Sequence, residues 1–123
     1  MNENSVVMYL VVNKSLNLTA GKIAAQIGHL VEYLIEDLLT YRREGIIWTN
    51  DEELSYVEYR NTGTTKIILK ADEDQWSELK VLAEVIIVDE GRTECPPNSE
   101  TVLGFFPMRK SEAPDVIKKL SLL

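Results

Sequence analysis

Two short segments, well separated along the chain, hold side chains from which a reaction can be built. One is Thr19-Ala20-Gly21-Lys22, with Gln26 and His29 downstream; the other is Asp89-Glu90-Gly91-Arg92-Thr93. Lys22, Gln26, His29 and Tyr33 follow one another at i, i+4, i+7 and i+11, which puts them on one stripe of a helix. The stripe lies about a quarter-turn from the apolar face made by Ile23, Ile27, Leu30, Leu34 and Leu38, so it should border the core and line a groove. Lys22 in the first turn adds a full charge to the amides left free at a helix N-terminus, a combination suited to a phosphate or a carboxylate. Asp89 follows the wholly apolar run Val85–Val88, and ligands of α/β sheets sit beyond the carboxyl ends of such strands. If that run is parallel to Val6–Val12, Asp89 emerges on the same edge as the loop leading to Lys22. A carboxylate beside a cation stays ionised and can orient a lysine or a water. Spacing alone also fits a blander arrangement: a solvated Lys22, a boundary His29, and an Asp-Gly turn braced by Arg92.

Other chemistries lack their residues. One histidine without paired carboxylate spacing makes no metal site. There is no phosphate-binding P-loop, no dinucleotide fingerprint and no nucleophile elbow. Cys95, between Glu94 and Pro96, reads as a packing or turn residue.

The elements that must position the two segments can be read in order. Val6–Val12 is apolar throughout, as in a strand buried on both faces. Thr19 is a plausible N-cap, and the helix it opens should run to Glu44-Gly45, where glycine suits the left-handed end. Residues Gly45–Gly63 are the least readable, aromatics mixed with carboxylates. A strand is expected at Thr65–Lys70 and a helix at Asp72–Ala83, with acids in its first turn. Further strands are expected at Val85–Val88 and Thr101–Phe106, and a last short helix at Asp115–Leu120 after Pro114. Apolar strands separated by helices give an α/β fold, a three-layer α/β/α sandwich on a small mixed sheet of about four strands.

With 123 residues, one domain spanning the whole chain is expected. No run approaches the roughly 18 apolar residues of a membrane span, and the N-terminus has no basic region of the secretory kind. A single cysteine excludes an internal disulfide and fits a reducing, cytoplasmic setting. The net charge of −7 has the wrong sign for a generic nucleic-acid binder. Lys14, Lys22, Lys66 and Arg92 near the two segments, with Arg109, Lys110, Lys118 and Lys119, still leave room for a local basic face.

Several stretches carry a family resemblance in order along the chain: Tyr9-Leu10-Val11-Val12; Gly21-Lys22-Ile23-Ala24-Ala25-Gln26-Ile27-Gly28-His29; Gly63-Thr64-Thr65-Lys66-Ile67-Ile68-Leu69-Lys70; Asp89-Glu90-Gly91-Arg92-Thr93-Glu94; Pro97 to Gly104; and the ending Lys119 to Leu123. This ordered set resembles the archaeal- and eukaryotic-type peptidyl-tRNA hydrolases. The resemblance implies an α/β/α domain, often a homodimer, that hydrolyses the ester joining a peptide to the terminal ribose of tRNA. No metal or organic cofactor is implied, and the partner is peptidyl-tRNA. Carried over by position, Lys22, Asp89, Thr93 and His29 are the expected catalytic residues. Gln26, Arg92 and, from the basic set, Lys66 are expected to contact substrate. Four features depart from the family pattern: Glu90 where alanine is usual, a longer and more acidic 45–61 segment, a shortened stretch between Trp76 and Val85, and the overall acidity. They keep two other functions in view, a non-catalytic binding protein on the same fold and a hydrolase of a smaller acyl ester.

Overall fold

The structure is a computed structural model that describes residues 2–43, 50–90 and 94–123. In chain order its elements are β1 (Val6–Asn13), α1 (Ala20–Arg43), α2 (Asn50–Asn61), β2 (Lys66–Ala71), α3 (Glu73–Lys80), β3 (Val85–Asp89), β4 (Ser99–Gly104), β5 (Met108–Arg109), α4 (Asp115–Lys118) and β6 (Ser121–Leu122). The sheet order is β3-β4-β1-β2-β6, with β5 beside the start of β1. β1 and β2 are parallel, Met8 opposite Lys66 and Asn13 opposite Ala71. β4 is antiparallel to both β1 and β3, so β3 runs parallel to β1. The sheet is mixed, as expected, but has six strands rather than about four. The additional two, β5 and β6, are two-residue strands, too short to leave a periodic signature in the sequence.

β1 is central, and its alternate residues feed two cores. Val6, Met8, Leu10 and Val12 pack with Leu30 and Leu34 of α1 and Tyr59 of α2. Val7, Tyr9 and Val11 pack with Trp76 and Leu79 of α3 and Ile117 of α4. Burial on both faces is why β1 reads as unbroken apolar sequence. At Gly104, a Cβ would stand 2.8 Å from Leu34 Cδ1 and 3.0 Å from Leu10 Cδ2. The missing side chain lets α1 lie close over β4, which sets how its polar stripe stands beside β3.

Several boundaries differ from the sequence reading. The least readable segment contains a helix, α2, whose buried side chains among those described are Ser55 and Tyr59, four residues apart. So narrow an apolar stripe barely shows against the surrounding charge. α3 stops at Lys80; Asp72 caps it, exchanging bonds with Gln75 in a capping box. The strand Thr101–Phe106 begins and ends two residues earlier, and the last helix is a single turn. The expected end of α1 at Glu44-Gly45 lies outside the described residues.

Candidate active site

β3 and β1 being parallel, Asp89 and the loop after β1 do emerge at the same end of the sheet. Lys22, in the first turn of α1, reaches across that end, and its Nζ donates to Asp89 Oδ1 at 2.5 Å. The two side chains are only 14% and 9% exposed, so the pair is largely withdrawn from water. The second carboxylate oxygen accepts from Cys95 Sγ at 3.4 Å. Burial pushes the Cys95 thiol pKa up, and the bond to Asp89 pushes it further. The thiol therefore stays protonated and can act as that donor. Asn98 N–H donates to the Asp89 carbonyl at 2.7 Å, folding the following turn back on the strand. Cys95 thus does more than fill space: it fixes one face of Asp89.

Thr19 caps α1 as expected, its Oγ1 accepting from Lys22 N–H. The anion anticipated at this helix end is one of the chain's own. Glu94 accepts from Thr19 N–H at 2.7 Å and from the Thr19 hydroxyl. These bonds, the hydroxyl's first, hold the Glu94 carboxyl below the usual glutamate range, with Lys22 adding to the effect. Glu94 ties the start of α1 to the segment after β3, and so ties Lys22 to Asp89. Sequence reasoning passed over it because one carboxylate in a loop gives no periodic or motif signal.

Gln26, one turn beyond Lys22, is buried. Its Nε2 donates to Thr101 Oγ1 at 2.9 Å, and that hydroxyl donates to the Ile87 carbonyl at 3.1 Å. This relay pins α1 across β4 onto β3, where the register between Ile87 and Val88 is broken by a bulge. Thr101 was not singled out in the sequence, since a threonine within a strand is ordinary.

Lys22, Gln26, His29, Tyr33 and Asp37 line one wall of a groove of ≈ 750 Å³, and residues 84–90 line the other. His29 is exposed, and seven residues along a helix place it about 10 Å from Lys22 measured on the axis. Lys66 is elsewhere. It opens β2 at the opposite end of the sheet, donates to the Thr64 carbonyl at 2.9 Å and lies 5.6 Å from the Tyr59 ring centre. It thus stands the length of β2 away from the end of the sheet that carries Lys22 and Asp89. Arg109, from the anticipated basic face, forms a two-pronged pair with Glu58 at 3.0 and 3.1 Å. Arg92 and Thr93 lie outside the described residues. Among the described residues, no three His, Cys, Asp or Glu side chains gather as a metal site would require.

The geometry supplies a cation held by a buried carboxylate at the mouth of a groove. Such a pair can steady an oxyanion and orient a water. Comparison with known proteins points the same way. Residues 6–123 match the family model described as Peptidyl-tRNA hydrolase PTH2. A bovine protein named peptidyl-tRNA hydrolase 2, mitochondrial, is 37% identical over 81% of this chain and 54% of its own length. A Schizosaccharomyces pombe protein named probable peptidyl-tRNA hydrolase 2 is 33% identical over 98% of this chain and 57% of its own. A Staphylothermus marinus protein named peptidyl-tRNA hydrolase is 26% identical over 93% of this chain and 92% of its own. The chain thus spans just over half the length of the bovine and yeast relatives and nearly all of the archaeal one. It belongs to the peptidyl-tRNA hydrolase PTH2 family.

Proposed function

We propose that this protein hydrolyses the ester joining a peptide to the terminal ribose of tRNA, with Lys22 and Asp89 at the centre of the reaction. The observation that carries the proposal is the largely buried Lys22–Asp89 pair at the carboxyl end of the sheet, in a chain of this family. Ester hydrolysis needs a positioned water, somewhere for its proton to go, and stabilisation of the charge that develops on the carbonyl oxygen. Asp89, held by Cys95 on one oxygen, keeps the Lys22 ammonium aimed at the mouth of the groove. The ammonium there offsets the oxyanion as water adds to the acyl carbon. The carbon–oxygen bond to ribose then breaks, the ribose oxygen takes up one proton of the added water, the other is released to solvent, and the products are a free peptide carboxylate and a tRNA hydroxyl.

The remaining roles follow position. Thr93, four residues past Asp89, is assigned to the water by the family resemblance, and Arg92 to bracing the turn. Gln26 keeps α1 in place through Thr101. His29, two turns along α1, belongs to the groove wall, where it meets the acyl chain rather than the ester. Cys95, a lone and buried thiol, suits a reducing compartment such as the cytosol. Lys22→Ala and Asp89→Ala proteins, checked for folding by circular dichroism, should each cleave a peptidyl-tRNA ester at least about 100-fold more slowly, the scale for loss of an oxyanion-stabilising group. An unaltered rate in either folded variant would overturn the assignment.

A further inference from the structure

Among the described residues β3 pairs with β4 alone, so its outer edge presents backbone N–H and C=O groups without strand partners. Residues 84–90 all line the groove, one after another. Val85 and Ile87 pack into one core and Ile86 into the other, so a groove touching all three runs along the backbone edge. The opposite wall is the flank of α1 carrying Gln26, His29 and Tyr33. We propose that this channel holds the peptide portion of the substrate as an added strand along β3. This inference rests on the hydrolase reading above.

Length, direction and charge agree with that occupant. Five residues of β3 extend about 17 Å, and the fifteen residues from Lys22 to Asp37 on α1 rise about 22 Å. Either wall accommodates about five or six extended residues. The scissile ester is at the peptide's C-terminus and must lie at Lys22 and Asp89. The peptide therefore runs from the Asp37–Glu84 end toward Asp89, in the same direction as β3, and adds as a parallel strand. Main-chain hydrogen bonds of this kind give affinity without demanding a particular sequence. Among the described residues the groove is lined by the carboxylates of Asp37, Glu84, Asp89 and Glu90 and by the ammonium of Lys22, which is paired with Asp89. A polyphosphate chain would be repelled along it, whereas a peptide would be accepted, best with a basic group near the Asp37 end.

The test uses the full-length protein and a non-cleavable hexapeptide joined by an amide to adenosine. Hydrogen exchange of the amides of residues 85–89 is followed as this probe is titrated. Protection of these amides on saturation supports the added strand; no change while the probe binds, or no binding at all, overturns it. Protection already present in the free protein, together with dimer sedimentation, would mean that a second copy occupies the edge, and would also overturn it. The kinetic arm compares N-acetyl-aminoacyl-tRNA with hexapeptidyl-tRNA. We expect kcat/KM to rise about tenfold with length and to level off at five or six residues. A lysine at the residue farthest from the ester should be favoured over glutamate, and Asp37→Lys should reverse that order. Hydrolysis with no dependence on length would refute the channel and leave the hydrolase reading standing. Protection of β3 by the probe without cleavage of either tRNA would do the opposite.

Discussion

The Lys22–Asp89 pair permits a prediction that separates its contribution to folding from its contribution to chemistry. At 2.5 Å and an effective dielectric of about 20, the Coulomb attraction is about 6–7 kcal/mol. Withdrawing both ions from water costs several kcal/mol each, so the net value of the pair is small. Removing one partner is different, because it leaves the other charge desolvated without compensation. For groups 14% and 9% exposed, Lys22→Met or Asp89→Asn should each destabilise by about 3 kcal/mol, at the lower end of the range for buried pairs. That corresponds to a fall in Tm on the order of 10 °C. The double variant has no stranded charge and should return to within about 1 kcal/mol of wild type, which corresponds to a coupling of about 5 kcal/mol between the two sites.

The assay is a double-mutant cycle by denaturant unfolding, run beside hydrolysis of a peptidyl-tRNA ester. Stability should return in Lys22→Met/Asp89→Asn while turnover stays at the level of the worse single variant. Additivity of the two single effects within about 0.5 kcal/mol would show that the charges do not sense each other in solution. Return of turnover with stability would make the pair purely structural. Either result would refute the reasoning.

Glu94 has a depressed pKa in the folded state, from its bonds to Thr19. A depressed carboxyl contributes stability that is complete above its unfolded value, about 4.3, and is lost as pH falls through the folded value. Wild type should therefore exceed Glu94→Gln in stability near neutrality, and unfolding curves collected down a pH series should converge at the acid end. Burial pushes Glu100 up, but its bonds to Lys80 and Trp76 outweigh burial and hold it low. With Trp48→Phe leaving Trp76 as the only tryptophan, indole fluorescence should titrate with a midpoint below the ordinary glutamate value, and Glu100→Gln should abolish that transition. Gly104→Ala drives a methyl against the tips of Leu34, Leu10 and Leu30 and should cost about 1–3 kcal/mol by overpacking. Because the displaced element is α1, this variant should also lose turnover more steeply than a core substitution of equal cost such as Ile117→Val or Leu79→Ala; thermal melts and rates measured on the same samples decide.

What could be read from the sequence was what periodicity or a strand end encodes. Leu30, Leu34 and Leu38 announce the buried face of α1, and from that face the flank carrying Lys22, Gln26 and His29 follows by geometry. Asp89 was legible because an unbroken apolar strand ends beside it. The contacts that hold the two together were not. Glu94 to Thr19, Cys95 to Asp89 and Gln26 to Thr101 each join residues whose types are common in loops and strands, and no spacing rule pairs them. α2 escaped for another reason, a buried stripe too narrow to rise above its charges. Lys66 was grouped with Lys22 because both are basic; Lys22 lies in the first turn of α1 and Lys66 opens β2. A parallel strand places its first residue at the far end of the sheet from its last, and that distinction depends on topology.

The placement of the acidic residues bears on an RNA substrate more than their number does. Asp89 is neutralised by Lys22, Glu94 is bonded to Thr19, Glu100 to Lys80 and Trp76, and Glu58 to Arg109. These carboxylates sit in local bonds. Asp37, at the remote end of the groove, is about 22 Å from Lys22 along α1, more than twice the screening length of about 8 Å at physiological salt. Its field hardly reaches a phosphate near the ester. It does reach a peptide lying in the groove beside it. Asp37 therefore acts on the far end of the channel and leaves the carboxyl end of the sheet outside its reach. Under the proposed function, a peptidyl-tRNA would present its peptide on the Asp37 side of the Lys22–Asp89 pair and its RNA on the other. Net charge is a property of the whole surface, whereas an ester linking two polymers needs opposite surroundings on its two sides, and the proposed acidic channel ending at a lysine would provide them.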